Sequence, residues 1–399
     1  MGRRVRRAPR ALPRALPRPA GSSVTTAAAR IAAVLPDPRE RSWFRAPGRV
    51  NLVGDHTDYN EGFVLPLAIE RACVVAAKPA TTIRMRSLDA DGVLEVPADG
   101  GTDPASVEPS WGRYVAAVAH ELAARGRPAA GVDAVLASDV PLGSGLSSSA
   151  ALEVACALAL AHAAGWGLEP VSVAEACRSA EEMATGVPCG IMDQLASVAG
   201  VEGAALLVDC RSLETVPVPL PEELAVLAVH SGVTRALAGS EYAARRRACE
   251  ALAAKLGLGS LRDATMAQVQ HDPFGRHVVT ETERVLEVAR LLPEGDVERI
   301  GTVLSESHAS LRDDFRVSIP ELDVLVEELV AAGALGARLT GAGFGGSVVA
   351  VCERSTVDRV VEHASRRYER RTRRTPTAFT CRAAAGAGRI APGGASVAA

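Results

Sequence analysis

Short runs of alternating apolar and polar residues occur along much of the chain and predict β-strands. A period of two places every second side chain on one face of a sheet, and these runs are bounded by polar residues or by Gly, Pro and Asp. The predicted strands are Cys73–Ala77, Thr82–Met85, Val132–Leu136, Ala204–Val208, Leu224–His230 and Ser347–Val351.

Between these runs, apolar residues recur at a spacing of three or four, which predicts helices. The predicted helices are Tyr114–Ala124, Leu146–Ala164, Val173–Ala184, Ser240–Leu256, Val278–Leu292, Val297–Arg312 and Glu321–Ala332. Strands and helices therefore occur in two successive blocks, with a Pro-rich joint at residues 216–223. This order predicts an α+β protein of two lobes, with a cleft between them where two substrates could meet.

The two ends of the chain differ from its body in composition. Residues 1–40 are rich in Arg and Pro, and prolines are poorly compatible with an amphipathic helix, so we predict a disordered extension whose residues 1–38 are dispensable. We place the first lobe at 41–220 and the second at 221–384. The low-complexity residues 385–399 are predicted to form a disordered tail.

Composition and charge narrow the class of protein. With 399 residues, 48% of them hydrophobic and 23% charged, the chain suits two globular domains. The net charge of −3 conceals nine Arg against two acidic residues in 1–40, which leaves 35 basic against 45 acidic residues in 41–399. An acidic body argues against nucleic-acid binding and favours a small-molecule enzyme.

Membrane and metal patterns are missing from the sequence. No apolar run reaches the roughly 18 residues that a membrane-spanning helix needs. The eight cysteines contain no CxxC pair and no zinc spacing, so we expect free thiols in the cytoplasm and no membrane partner.

The segment PLGSGLSSSAALEVA, residues 141–155, leads through small residues directly into an Ala-rich helix. Glycines permit close approach of backbone to a phosphate, and the amides and dipole at a helix N-terminus favour an anion. A Ser/Gly turn that only caps a helix has the same composition, so this segment alone leaves both interpretations open. The Walker A and GxGxxG patterns are absent from it.

Two further clusters contain polar residues between apolar runs. Residues 45–69 are dense in Arg, Asp, His, Asn and Tyr, which suits a polyhydroxylated substrate with Arg49 neutralising a transferring phosphoryl group, although a solvated loop would look alike. In residues 186–197, Asp193 stands among Gly, Cys, Ile and Met, which favours a catalytic or paired carboxylate. A Gly-rich turn at 338–351 permits close packing of a loop or ligand.

The order of the segments GRVNLVGDHTDYN, PLGSGLSSSA, CGIMDQ and LTGAGFGGS strongly resembles the galactokinases of the GHMP kinase superfamily, over roughly residues 41–384. The resemblance implies a two-lobed fold: an N-terminal lobe like ribosomal protein S5 domain 2 and a ferredoxin-like α/β C-terminal lobe. It also implies phosphorylation of galactose at C1 by ATP with Mg²⁺, in a cytoplasmic enzyme that we expect to be monomeric.

The resemblance assigns roles to individual residues of this chain. The catalytic pair would be Arg49 and Asp193, and Ser149 and Glu181 would bind Mg²⁺. The sugar-binding residues would be Asp55, His56, Thr57, Asp58 and Tyr242. The ATP-binding residues would be Ser87, Gly143, Ser144, Gly145, Leu146, Ser147, Ser148 and Ser149.

One position departs from the family pattern, which usually has Glu where this chain has Asp55. The shorter side chain either lies farther from the sugar or requires the loop to shift inward. This difference leaves the assignment as a kinase unchanged and bears on the identity of the sugar. Two alternatives stay open at this point. The first is a related kinase acting on N-acetylgalactosamine, arabinose, a uronic acid or another hexose, and the second is a non-catalytic sugar sensor.

Overall fold

Three sheets organise the protein, and the computed structural model describes them over residues 26–234 and 238–393. The strands are β1 (Ser42–Asn51), β2 (Phe63–Val64), β3 (Pro66–Ala80), β4 (Thr82–Ser87), β5 (Val93–Pro97), β6 (Gly131–Ser138), β7 (Ala204–Asp209), β8 (Thr215–Pro219), β9 (Leu224–His230), β10 (Gly336–Thr340), β11 (Ser347–Glu353), β12 (Thr377–Cys381) and β13 (Gly388–Ile390). The helices are α1 (Ala27–Val34), α2 (Gly112–Ala124), α3 (Ser148–Ala163), α4 (Pro170–Thr185), α5 (Met192–Ala199), α6 (Ala238–Leu256), α7 (Met266–Val269), α8 (Pro273–Glu294), α9 (Val297–Asp313), α10 (Pro320–Ala331) and α11 (Val357–Thr372).

The first lobe is built on a six-stranded sheet in the order β13-β1-β3-β6-β4-β5, in which only the β4–β6 pair is parallel. The long, apolar α3 packs on β1, β3 and β6 and is itself contacted by α2, α4 and α5. A small sheet, β2-β7-β8, lies beside α5. Helix α3 is apolar on nearly all sides because it is buried between the sheet and its neighbouring helices.

The second lobe is built on an antiparallel sheet in the order β10-β11-β9-β12. Helices α9, α10 and α11 pack against this sheet, and α8 packs on α9 and also reaches β2, β7 and β8 of the first lobe. The chain crosses between the lobes after β8 ends at Pro219 and before β9 begins at Leu224. The predicted two-lobed α+β fold is confirmed, as are the six predicted strands and seven predicted helices.

The pattern missed β1 and α5, the two elements that carry the predicted catalytic pair. Strand β1 is buried on both faces, so its sequence does not alternate. It also contains Pro47 and Gly48 at a bulge in its pairing with β3, residues that argue against a regular strand. Helix α5 has only eight residues, too few for a clear helical period.

Both terminal predictions need correction. Within the segment predicted as a disordered extension, Ala27–Val34 forms α1, which buries Ile31 against Trp43 and Val74 of the sheet. The Arg/Pro content averaged over forty residues hid this apolar stretch. Within the predicted disordered tail, β13 pairs with β1, aligning Ile390 with Trp43, because Ile390 completes the same apolar cluster. Residues 1–25 and 394–399 lie outside the described residues, so the predictions for them stay untested.

Deletion of residues 1–38 is therefore expected to lower the free energy of unfolding, contrary to the prediction that they are dispensable. The loss should be about 2–4 kcal/mol, because full burial of one Ile-sized side chain contributes roughly 1.5–3 kcal/mol and the deletion also uncovers Trp43. Chemical denaturation measures the loss, with a deletion of residues 1–25 as the matched control. A loss below about 0.5 kcal/mol would show that α1 does not stabilise the lobe.

Candidate active site

A cavity of about 280 Å³ lies between the lobes and collects seven of the predicted site residues. These seven are Arg49, Asp55, His56, Asp58, Glu181, Asp193 and Tyr242. The rest of the wall consists of Thr185, Val187, Pro188, Cys189, Gly190, Met192, Gly341 and Ala342. Most of the cavity belongs to the first lobe, and the second lobe closes it with Tyr242, Gly341 and Ala342.

Arg49 reaches the cleft because of the bulge in β1. A Cβ on Gly48 would lie 2.5 Å from the carbonyl oxygen of Leu146, so only glycine permits this contact between β1 and the loop before α3. The Arg49 amide donates to that same carbonyl at 3.1 Å. Its guanidinium, nearly buried, donates from Nη1 to the carbonyl oxygen of Gly145 at 2.6 Å. The strand irregularity thus directs a cation to the Gly-rich loop.

Asp193 stands in the first turn of α5, with its carboxylate facing Arg49. Its Oδ1 accepts a hydrogen bond from Arg49 Nε at 2.8 Å and lies 2.6 Å from Arg49 Nη2 in an ion pair. Its Oδ2 accepts a hydrogen bond from the Ser147 hydroxyl. The Asp193 side chain is 27% exposed while that of Arg49 is 6% exposed, so the carboxylate is the partner that faces the cavity. The structure therefore forms the predicted Arg–Asp pair.

The Gly-rich loop turns through left-handed backbone at Gly143, Gly145 and Ser147 before α3 begins at Ser148. Ser147 stands at the N-cap position but uses its hydroxyl on Asp193 instead of on the helix amides. The first amides of a helix have no intrahelical acceptor, so those of α3 are available to an anion. The Ser347 hydroxyl of the second lobe donates to the Ser144 carbonyl at 2.6 Å and holds the loop at the interface.

Ser149 and Glu181 meet at the N-terminus of α3. The Ser149 hydroxyl donates to Glu181 Oε1 at 2.7 Å, and Glu181 lines the cavity. Burial, followed by the nearby Asp193 carboxylate, raises the pKa of Glu181. Mg²⁺ is usually bound by one or two carboxylates together with substrate phosphates. These oxygen donors fit such a site, and residues 26–234 and 238–393 hold no cluster of three or more His, Cys, Asp or Glu that could bind a metal on its own.

His56 is a buried aromatic wall of the cavity. Its backbone is left-handed, with a φ of 68°, and its ring lies 4.7 Å from Phe315 and 5.4 Å from Tyr242 between centroids. Its Nδ1 is 3.0 Å from the Tyr59 hydroxyl, while its Nε2 has no hydrogen-bond partner among the residues that the structure describes. Burial lowers the pKa of His56 well below its usual range. A neutral ring with one unpartnered nitrogen can bind a substrate hydroxyl.

Asp58 lies against Gly190 on the opposite wall. A Cβ on Gly190 would lie 1.6 Å from Asp58 Oδ2, so a larger residue there would displace the Asp58 carboxylate. The Tyr59 amide donates to Asp58 Oδ1 at 2.9 Å. Burial and then the nearby Asp193 carboxylate raise the pKa of Asp58 to about 6. Hydrogen bonds from hydroxyl groups, such as those of a sugar, would stabilise an ionised carboxylate in this position.

Asp55 is bound to the second lobe. Its Oδ2 lies 2.5 Å from Arg338 Nη2, and its Oδ1 accepts from the Gly341 amide at 2.9 Å. Arg338 is fully buried and also lies 3.7 Å from Glu281 on α8. The shorter Asp55 side chain thus reaches an arginine and an amide across the interface and lines the cavity from that position.

The geometry does not support the prediction for Thr57 as a sugar-binding residue. Thr57 is fully buried, and its hydroxyl is shared by the carbonyl oxygens of Gly54 at 2.8 Å and Phe63 at 2.7 Å. It shapes the turn that places His56 and Asp58. Ser87 lies at the end of β4, where its hydroxyl accepts from the Asp89 amide at 3.1 Å, outside the cavity wall. Its contact with the nucleotide stays a prediction.

Three buried polar residues that organise the site were not predicted: Glu153, Gln194 and Arg338. Burial and then the nearby Glu181 raise the pKa of Glu153 well above its usual range. Glu153 interrupts an otherwise apolar helix, and a charged residue in that position was a signal that the sequence did contain.

The chain matches known family signatures. The galactokinase galactose-binding signature matches residues 37–79, which contain Arg49 and the loop with Asp55, His56 and Asp58. The N-terminal domain of GHMP kinases matches residues 113–201, and their C-terminal domain matches residues 288–370.

Individual proteins match over most of the chain. A galactokinase of Roseiflexus sp. (strain RS-1) is 43% identical over 367 residues, covering 87% of this chain and 92% of its own. A galactokinase of Canis lupus familiaris is 44% identical over 360 residues, covering 86% of this chain and 90% of its own. The crystal structure of Lactococcus lactis galactokinase complexed with galactose superposes with a TM-score of 0.83 at 29% identity, covering 90% of this chain and 98% of that chain. A mevalonate kinase, at 18% identity and a TM-score of 0.61 over 85% of this chain and 98% of its own, shares the fold.

Proposed function

Because the chain belongs to the galactokinase family of the GHMP kinases, we propose that it transfers the γ-phosphoryl group of ATP to the C1 hydroxyl of galactose, giving galactose 1-phosphate and ADP. It is an ATP-dependent sugar kinase. The observation that carries the proposed roles is the Arg49–Asp193 pair, which lies between the Gly-rich loop and the cavity containing His56 and Asp58.

The sugar is proposed to bind in the cavity with its hydroxyls on Asp58, on the unpartnered Nε2 of His56 and on Asp193. The C1 hydroxyl donates to Asp193, whose carboxylate is held by Arg49 and Ser147. As the C1 oxygen forms its bond to the γ-phosphorus, its proton passes to Asp193 and the bond from phosphorus to the bridging oxygen of ADP breaks. Asp193 is thus proposed as both the orienting group and the proton acceptor.

The phosphates of ATP are proposed to lie on the Gly-rich loop and the N-terminus of α3. The amides of the helix and the Arg49 guanidinium face the negative charge that spreads over the transferring group. Glu181 and Ser149 would hold Mg²⁺, which would supply positive charge that neutralises part of the phosphate charge. Arg49 contacts both the loop and Asp193, so it holds the donor and acceptor sides in line.

A coupled assay of ADP release across a panel of sugars tests this function. The panel holds galactose, N-acetylgalactosamine, arabinose, galacturonic acid and glucose. We expect the highest kcat/KM with galactose. A higher kcat/KM for another sugar would show that this sugar, and not galactose, is the substrate. If no sugar caused ADP release although galactose bound tightly, the result would support a non-catalytic sensor.

Galactose binding is expected to weaken as the pH falls through about 6. The raised pKa of Asp58, about 6, means that its carboxylate is ionised above pH 6 and protonated below it. Sugar hydroxyls donate to the ionised form, so protonation competes with the sugar, and the affinity should be about tenfold lower at pH 5 than at pH 7. His56 lies beside this group, and its burial lowers its pKa and so favours the neutral ring.

Isothermal titration of galactose from pH 5 to pH 8 measures this effect. The Asp58→Asn variant should bind more weakly at pH 7 but show a flat profile. A wild-type profile that is already flat would remove Asp58 from the sugar contacts.

We also propose that the enzyme is a cytoplasmic monomer. All eight cysteines are free, and seven are buried, which suits a reducing compartment. Within the described part of the chain, none of the helices combines the length and the apolarity that a bilayer crossing requires.

A further inference from the structure

Gln194, next to Asp193 on α5, joins three helices through one side-chain amide. It is fully buried. Its Nε2 donates to Glu181 Oε2 on α4 at 2.6 Å and to Glu153 Oε2 on α3 at 3.2 Å. A primary amide has two hydrogens, and the two carboxylates account for both.

Glu181 is consequently held at both of its oxygens. Oε1 accepts from Ser149 at the start of α3, and Oε2 accepts from Gln194 on α5. A carboxylate with one such bond can rotate about its last side-chain torsion, which is a broad, weakly restricted torsion. Two bonds from different helices fix the plane of the carboxylate and therefore the direction of its remaining lone pairs.

Glu153 in turn restrains the side-chain amide of Gln194. It lies in the middle of α3 with no exposure to solvent. Its Oε2 accepts from Gln194, and its Oε1 has no hydrogen-bond partner within the described part of the chain. Burying a carboxyl group with so few hydrogen bonds costs free energy, because the group is desolvated. An apolar side chain of that size would pack without this desolvation cost. The contact that Glu153 does make restrains Gln194, and through it Glu181.

We propose that Gln194, held by Glu153, is a positioning residue that orients Glu181 to bind the divalent cation carried by the nucleotide. The proposal rests on the proposed function through the assignment of Glu181 as a cation ligand. Outer contacts that orient ligating carboxylates typically change metal affinity by 10–100-fold when removed. Since Asp193 is the preceding residue, α5 directs one group at the sugar and the next at the cation site.

The test measures Mn²⁺ binding to the complete chain saturated with the β,γ-imido analogue of ATP, by the electron paramagnetic resonance signal of free Mn²⁺. Gln194→Leu keeps the approximate size of the side chain and removes both donors. We expect its Mn²⁺ dissociation constant to rise at least tenfold, while the galactose dissociation constant changes less than twofold. Glu153→Gln retains an acceptor for Gln194 and should bind Mn²⁺ within about threefold of wild type, whereas Glu153→Leu should weaken binding more.

Two controls make the result specific. Gln270→Leu applies the same change to an exposed residue after α7 and should leave both constants unchanged. Glu181→Gln should raise the Mn²⁺ constant at least as much as Gln194→Leu. If Glu181→Gln does so and Gln194→Leu stays within twofold of wild type, the positioning role is wrong and the proposed function stands. If neither variant changes Mn²⁺ binding, the cation assignment itself is wrong.

Should Gln194→Leu fail to fold, Gln194→Asn replaces it. Its amide is one methylene shorter and cannot keep both contacts at hydrogen-bond distance. A rise of threefold or more in the Mn²⁺ constant would support the proposal, and a smaller rise would overturn it.

Discussion

Replacement of Asp193 by asparagine is expected to lower kcat by about 10²–10⁴-fold, the contribution typical of a positioned acid–base group. Asparagine is nearly isosteric, and its carbonyl oxygen can still accept from Arg49, while its amide can donate to the Ser147 hydroxyl. The change thus removes the charge and the proton acceptor but leaves the loop and α5 in place. Steady-state kinetics with galactose and ATP measure the loss, and titration with the imido analogue should show nucleotide binding close to that of wild type.

Asp133→Asn is the matched control for this change. Asp133 on β6 is likewise paired with an arginine, Arg41, at 2.6 Å, but it stands outside the cavity wall. Its kcat should stay within about twofold of wild type. An Asp193→Asn enzyme that retained its rate to within a few-fold would show that Asp193 is not the catalytic carboxylate.

Replacement of Arg338 by methionine is expected to lower the free energy of unfolding by about 3–5 kcal/mol, the cost of breaking a buried ion pair by removing one partner. Arg338 is fully buried and bonds Asp55 Oδ2 at 2.5 Å and the carbonyl oxygen of Leu52 at 3.1 Å. Without it, the Asp55 carboxylate stays buried in the interface without its paired cation, although it keeps the hydrogen bond from the Gly341 amide. The galactose KM should rise as well, because the loop that places His56 and Asp58 loses its anchor on the second lobe.

Equilibrium denaturation of three variants checks the origin of this loss. Arg312→Met changes an exposed arginine that pairs with its neighbour Asp313, and it should cost less than about 0.5 kcal/mol. Adding Asp55→Asn to Arg338→Met removes the unpaired charge and should restore part of the stability. If the double variant is no more stable than Arg338→Met alone, the loss of stability comes from lost packing and not from the unpaired charge. A loss below about 1 kcal/mol for Arg338→Met would contradict the stabilising role of the ion pair.

Much of the fold was predictable from local pattern. Antiparallel strands with one polar face, such as Thr82–Ser87, alternate clearly, and amphipathic helices such as Val297–Asp313 show a clear helical spacing. Several of the missed elements were buried on both sides or short, whereas Val357–Thr372 is a 16-residue helix that was missed because few apolar residues stand among its charged ones. The pattern of β1 does not alternate because both its faces are covered, and α1 and α5 have eight residues each.

The sequence by itself determined the chemical classes present at the site: a Gly-rich loop before a helix, an arginine, and carboxylates in apolar surroundings. These are properties of residue type and short spacing, and the family resemblance assigned Arg49, Asp193, His56 and Asp58 to a cleft where the structure places them together. Short spacings along the chain are enough to predict these groupings, because residues a few positions apart lie in the same loop or the same helical turn.

Only the tertiary structure decided which polar groups of the site are bonded to other groups of the protein. Thr57 bonds two carbonyl oxygens and Asp55 bonds Arg338, although both stand in the same short segment as His56 and Asp58. Likewise Gln194 and Glu153 meet across two helices, 41 positions apart, and Arg338 reaches Asp55 across 283. A buried polar side chain must find its partner in space, and the packing of the two lobes, which no local spacing encodes, determines that partner.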